Sequence, residues 1–141
     1  MAVEKQASAV WRGSLVEGSG AVTAASGAFT NLSVTWPARA ERGEEATSPE
    51  ELIAAAHAAC YSMALAHGLT QGGSPPEELR VTAKVGFQAG QGITGIHLDV
   101  RGRVDGVDAD GFAAAAAAAA EGCPVSKALA GVAITHTAAL A

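Results

Sequence analysis

Cys60 and Cys123 are the residues of this 141-residue chain best equipped for covalent chemistry. A thiolate can act as a nucleophile, a metal ligand or one half of a disulfide. Two cysteines in a reducing compartment are seldom a permanent structural bridge, which leaves inert core thiols, metal ligands or redox chemistry. Their separation fits no CxxC-type motif. Cys60 stands amid Ala58, Ala59, Tyr61, Ser62 and Met63, where no neighbour lowers its pKa, so it reads equally well as a small buried hydrophobe. Cys123 lies between Gly122 and Pro124 at the mouth of a short expected helix, where amides and the positive dipole end stabilise a thiolate. Local physics therefore ranks Cys123 as the better-activated thiol.

Three further side chains join this constellation. His57 precedes Cys60 by about one helical turn and shares its face, although a packed histidine with a single hydrogen bond is the plainer reading. Glu50 falls in the first turn of the same expected helix, where the dipole favours a carboxylate. Arg39, in the charged stretch before it, can pair with Glu50 bidentately, and a guanidinium held beside a thiol lowers its pKa. The plainer alternative is a solvated loop arginine.

Other patterns carry less. The histidines at 57, 67, 97 and 136 show no zinc spacing with each other or with cysteine, so no metal site is expected. Residues 90–95 spell GQGITG, a GxGxxG match, but an alternating strand pattern follows it where a dinucleotide site needs a helix. These glycines read as a hairpin connection, and no bound cofactor is expected.

The elements that must position these residues can be read from local signals. Residues 7–36 look like strands with Gly-rich turns, the last running from Phe29 to Trp36 and closed by Pro37. Residues 38–47 read as a charged loop holding Arg39, Glu41, Arg42, Glu44 and Glu45. Ser48 as N-cap, Pro49 at the first helical position and Glu51 in a capping box start a helix expected to reach about Ala66 and stop at Gly68. Two alternating strands follow, with Val81, Ala83, Val85 and Phe87 on one face and then Ile96, Leu98, Val100 and Val104. A second helix, capped by Asp108 and stopped by Gly122, holds the Ala113 to Ala120 tract, and Ala is the best helix former. A short helix from Pro124 to Leu129 and a strand from Val132 to Thr137 complete the order. The fold class is α+β, in a single domain over residues 1–141.

Composition excludes several function classes. A net charge of −5 without any basic run argues against nucleic acid. The apolar stretch over residues 52–69 is mostly Ala and contains His57, His67 and Ser62, which reads as a buried helix and not a membrane span. No signal pattern opens the chain, so a cytoplasmic location is expected. Aromatics are only 4%, and Ala-rich helices bury little area each, which hints that a partner chain completes the core.

The two cysteine segments together resemble the osmotically inducible protein C (OsmC) branch of the OsmC and organic hydroperoxide resistance family. TSPEELIAAAHAACYSMAL over residues 47–65 resembles the first cysteine helix, and GCPVSKAL over residues 122–129 the second motif. Trp11, Gly13, Gly18 and Gly20 also fit, and the His-Ala-Ala-Cys run favours the OsmC branch. The resemblance implies an intertwined homodimer of antiparallel sheets with two main helices carrying the cysteines. It implies a peroxidase for organic hydroperoxides, with Cys60 as peroxidatic thiol, Cys123 as resolving thiol, and Arg39 and Glu50 activating the first. It also implies regeneration by a dithiol, expected to be of lipoyl type. The loop between Arg39 and Pro49 is about one residue longer than the family pattern, which makes Arg42 a rival for Arg39. Ser48 replaces a frequent Asn, and both cap well. The alternative from another class is a non-catalytic redox-sensing or small-molecule-binding dimer.

Overall fold

A computed structural model describes residues 1–41 and 45–141. Arg42 and Glu44 lie outside the described residues. The chain is α+β and divides into two compact units, Met1–Leu52 and Ile53–Ala141.

The first unit holds an antiparallel sheet of β1 (Ala7–Arg12), β2 (Ser19–Ala24) and β3 (Leu32–Val34), in that order. β3 is shorter than expected because Trp36–Ala40 forms a helix, α1. Thr35 caps it, its hydroxyl accepting from the Ala38 amide at 3.1 Å, and Pro37 sits in its first turn. Proline's fixed φ suits a first helical turn, so the residue expected to close a strand helps open a helix. Every residue of β1 is exposed, with Val10 and Trp11 among them.

Helix α2 (Pro49–Gln71) starts where the sequence predicts. The Ser48 hydroxyl accepts from the Glu51 amide at 3.1 Å. Glu51 does not reach back to the cap as a capping box would; its carboxylate accepts instead from the Thr47 hydroxyl at 2.6 Å. The helix passes through Gly68, where a stop was expected, and ends at Gly73. That residue has φ +88, with Ser74 donating to the Leu69 carbonyl at 2.9 Å and Gly73 to Thr70 at 3.0 Å. This is a Schellman closure, which requires a residue tolerant of positive φ. Continuing past Gly68 costs about 1 kcal/mol of propensity. The extension buries Leu69, worth roughly 1.5–3 kcal/mol.

The second unit is built on a sheet of β4 (Glu78–Gln88), β5 (Gly92–Arg103) and β6 (Ile134–Leu140). β4 and β5 form the expected hairpin, its connection turning at Gly90 and Gly92, both at positive φ. The GxGxxG match is therefore a turn. The other strand pairs are antiparallel, as expected, while β6 pairs with β5 in parallel. Helices α3 (Ala109–Gly122) and α4 (Pro124–Ala128) lie between these two strands in the chain and supply the crossover a parallel pair needs. β6 also lies further along the chain than the expected Val132 to Thr137.

Against this sheet pack the buried side chains of α2 and α3. On α2, His57, Tyr61, Leu65 and Leu69 recur every four residues and are all buried. From α3 come Phe112, Ala116, Ala119 and Ala120, and from the sheet Ile96, Leu98 and Val100. Asp108 caps α3 as expected, accepting from the Gly111 amide at 2.7 Å. Although α2 is long and apolar enough to cross a membrane by composition, this face is spent on the core.

Candidate active site

The fold brings Cys60 and Cys123 together. Cys60, half-buried on α2, packs against the core cluster that contains the fully buried Cys123 at the junction of α3 and α4. Both cysteines are free thiols, close enough for each to affect the other's protonation. Pro124 begins α4 directly after Cys123, whose side chain makes no cap hydrogen bond to that helix.

These surroundings split the two thiols. Burial pushes the Cys60 thiol up, as does its bond to Cys123, with the Val125 amide opposing. Burial also pushes Cys123 up, but the hydrogen bonds from Cys60, Ser126 and Val125 outweigh it and leave Cys123 below the ordinary thiol value. That matches the local ranking from the sequence.

Arg39 and Glu50 form the expected bidentate pair in the first unit. Arg39 Nε donates to Glu50 Oε1 and Nη2 to Oε2, each at 3.0 Å. Glu50 is buried in the first turn of α2 while Arg39 is about one-third exposed. Arg39 also lines a cavity of about 380 Å³ whose other walls are Trp11, Leu15, Val34, Thr35, Trp36 and Pro49. A guanidinium at the edge of an apolar hollow suits a ligand with a greasy body and an electron-rich oxygen. Trp36 thus belongs to a cavity wall. Met63 is exposed, and Tyr61 is fully buried with its hydroxyl donating to the Ala116 carbonyl at 3.3 Å. Burial and the Asp99 charge push the Tyr61 phenol up to about 12, so it stays protonated in the core.

His57 makes the single hydrogen bond expected of a packed histidine, from Nε2 to Ser126 Oγ at 2.7 Å. Its Nδ1 is buried without a partner. Burial holds its pKa below the usual 6.5. Folding thus favours the neutral ring, and the unfolded chain takes up the proton first as pH falls. The stability this confers is complete above about pH 6.5 and is lost progressively below it, by at most about 1.4 kcal/mol per pH unit. Urea unfolding between pH 7.5 and 5.5 should show a flatter decline for His57→Gln than for the parent protein. Identical slopes would mean that His57 titrates normally.

Sequence reasoning missed Ser126, whose only local signal is its place one turn into the helix that Pro124 opens. Among the described residues, no group of three or more His, Cys, Asp or Glu side chains could hold a metal ion.

Comparison with known proteins places these segments. Residues 42–137 match the family model described as OsmC-like protein. The chain is 41% identical over 132 residues to peroxiredoxin OsmC of Escherichia coli (strain K12), covering 92% of each. It is 39% identical over 97 residues to organic hydroperoxide resistance protein OhrA of Bacillus subtilis (strain 168), covering 66% of this chain and 67% of the relative. The crystal structure of an organic hydroperoxide resistance protein OsmC from Legionella pneumophila superimposes with a TM-score of 0.73 at 25% identity. That match covers 95% of this chain and 96% of the other.

Proposed function

Because this chain belongs to the OsmC-like protein family, we propose that it is a cysteine peroxidase that reduces organic hydroperoxides to alcohols and is regenerated by a dithiol. The observation that carries the reading is that Cys60 packs against the buried cluster containing Cys123, two free thiols far apart in the chain. The names of its relatives support the substrate class. So does the apolar cavity beside Arg39.

The pair holds one shared proton once the other has been lost. Arg39, kept in place by Glu50, draws the negative charge toward Cys60. The Cys60 thiolate attacks the terminal oxygen of the hydroperoxide, forming an S–O bond as the O–O bond breaks. The departing alkoxide takes the proton then held by Cys123 and leaves as the alcohol. Cys60 is now a sulfenic acid and Cys123 a thiolate. Cys123 attacks the Cys60 sulfur, hydroxide departs and takes a proton from solvent, and a disulfide remains. A dithiol, for which the lipoyl type is our candidate, returns two electrons by exchange. We place the reaction in the cytoplasm, where free thiols persist.

Cys60→Ser should reduce dithiol-dependent consumption of cumene hydroperoxide to the uncatalysed background, whether the dithiol is dihydrolipoamide or dithiothreitol. Full activity in that variant would sink the assignment of Cys60.

The working form is a homodimer in this reading. β1 is exposed throughout, Val10 and Trp11 included, Leu15 and Val16 just after it are exposed, and α2 leaves Ala55, Ala56, Ala59 and Met63 uncovered. Apolar surface on this scale calls for a partner. Sedimentation should give twice the chain mass of 13.9 kDa at micromolar concentration; a monomer there rules the homodimer out.

A further inference from the structure

We infer that Trp11 is a specificity-determining wall of the cavity beside Arg39, fixed in place by Gly13 and Gly20, and that it selects hydroperoxides with a flat aryl body. The substrate class rests on the peroxidase reading above; the wall itself is read from the geometry of the first unit alone.

The strand register comes first. Trp11 of β1 pairs with Gly20 of β2, and Gly20 pairs with Val34 of β3. Directly paired residues put their side chains on one face, about 4.5–5.5 Å apart. The row Trp11–Gly20–Val34 therefore has a side chain at each end and none in the middle, and the indole occupies that gap. A Cβ on Gly20 would stand 2.7 Å from Trp11 Cε3 and 3.4 Å from Cζ3, so the benzo edge of the ring lies over the glycine. A glycine inside a strand often marks such a close approach. The other edge of the ring is tied as well, with Nε1 donating to the Gly13 carbonyl at 3.0 Å. Trp11 is exposed, yet its ring is held at both edges.

Both ends of the row, Trp11 and Val34, line the cavity of about 380 Å³. Leu15, Trp36 and Pro49 extend its apolar wall, and Arg39 is the charged residue among them. An apolar cavity of about 150 Å³ is enough for benzene, so this one takes a ring with branched substituents. Two indoles in the wall favour an aryl body, because aromatic contacts add about 2-fold to 12-fold in affinity beyond area burial. A ring already pinned loses little freedom when a ligand lies against it, so the gain is kept. The peroxide oxygens are the end that the guanidinium attracts. Gly20 is a positioning residue here, acting through Trp11.

Occupancy can be read without turnover, because the chain's two tryptophans both line the cavity and their fluorescence reports what enters it. The probe is 2-phenyl-2-propanol, the alcohol formed from cumene hydroperoxide, and tert-butanol is its ringless counterpart. The parent protein should bind the aryl alcohol saturably and more tightly than tert-butanol. Trp11→Leu should shrink that preference by about 2-fold to 12-fold, with Trp36 still reporting, and Trp11→Phe should restore part of it. Gly20→Ala should shrink it too, since the new methyl displaces the indole, but should change it by less than about twofold in a Trp11→Leu background. A glycine needed only for folding would act equally in both backgrounds. In turnover, Trp11→Leu should raise the KM for cumene hydroperoxide relative to that for tert-butyl hydroperoxide by a similar factor. An aryl preference equal in the parent and Trp11→Leu would overturn the proposal. So would the absence of any fluorescence response to either alcohol, which would mean that a second copy of the chain fills the hollow. Ring-selective binding by a protein that consumes no hydroperoxide would refute the peroxidase reading and leave the wall standing.

Discussion

Arg39→Ala should lower the rate of Cys60 sulfenic acid formation by roughly 100-fold to 1000-fold, the size of effect seen when a preorganised cationic or hydrogen-bonding partner is removed from a reacting group. Two features support so large a value. Burial and the Cys123 bond both hold the Cys60 thiol up. A charge on Cys60 must therefore be drawn there by something outside the second unit, and Arg39 is our candidate. The guanidinium is also held in a fixed orientation, with two 3.0 Å bonds to one buried carboxylate.

The same substitution has a structural cost that must be told apart from the chemical one. Glu50 is buried, and without its guanidinium it keeps only the favourable dipole of the α2 start. Breaking a buried pair from one side costs about 3–5 kcal/mol; because Arg39 is one-third exposed, about 1–3 kcal/mol is the expectation here. Removing both partners, in Arg39→Ala with Glu50→Ala, should recover most of the stability and none of the rate. Arg39→Lys should keep the charge but lose the bidentate geometry, and fall between the two. Stopped-flow mixing with cumene hydroperoxide, followed by trapping of the sulfenic acid, reads the rate, and urea unfolding reads the stability. An Arg39→Ala protein with an unaltered rate of sulfenic acid formation would shift the role elsewhere, with Arg42→Ala the next substitution to measure.

How far all this was readable in the sequence depends on the range of the interaction concerned. Ser48 and Asp108 each cap a helix through a bond to a backbone amide a few residues on, so the starts of α2 and α3 were legible. The Arg39–Glu50 pair was legible for a similar reason, since helix placement and charge suffice to suggest it. The end of α2 was not. Gly68 carries the local stop signal, but burial of Leu69 by the sheet overrides it, and the sequence nearby holds no record of that sheet. The direction of β6 was hidden in the same way, because an alternating strand reads alike whether its neighbour runs parallel or antiparallel. For the site, His57 and Ser126 look unrelated until the fold closes 69 positions to 2.7 Å. The meeting of Cys60 with Cys123 came from the resemblance of their two segments, and no local pattern would have paired them.

Cys123→Ser should abolish turnover, by 1000-fold or more, yet leave one round of peroxide reduction intact; loss of a covalent catalytic group typically costs that much. The fold should survive the change. Serine is slightly smaller than cysteine and fits this fully buried position without overpacking. What disappears is the nucleophile that attacks the Cys60 sulfenic acid. That acid should accumulate to one equivalent per chain and be visible as an added oxygen by intact mass, or as a dimedone adduct. The first step should also slow modestly, because in the proposed cycle Cys123 returns a proton to the departing alkoxide and a serine hydroxyl is a far weaker acid. If Cys123→Ser instead turned over at the parent rate with dithiothreitol, the disulfide would not lie on the catalytic path. Cys123 would then be a proton donor alone, and external thiols would reduce the Cys60 sulfenic acid directly.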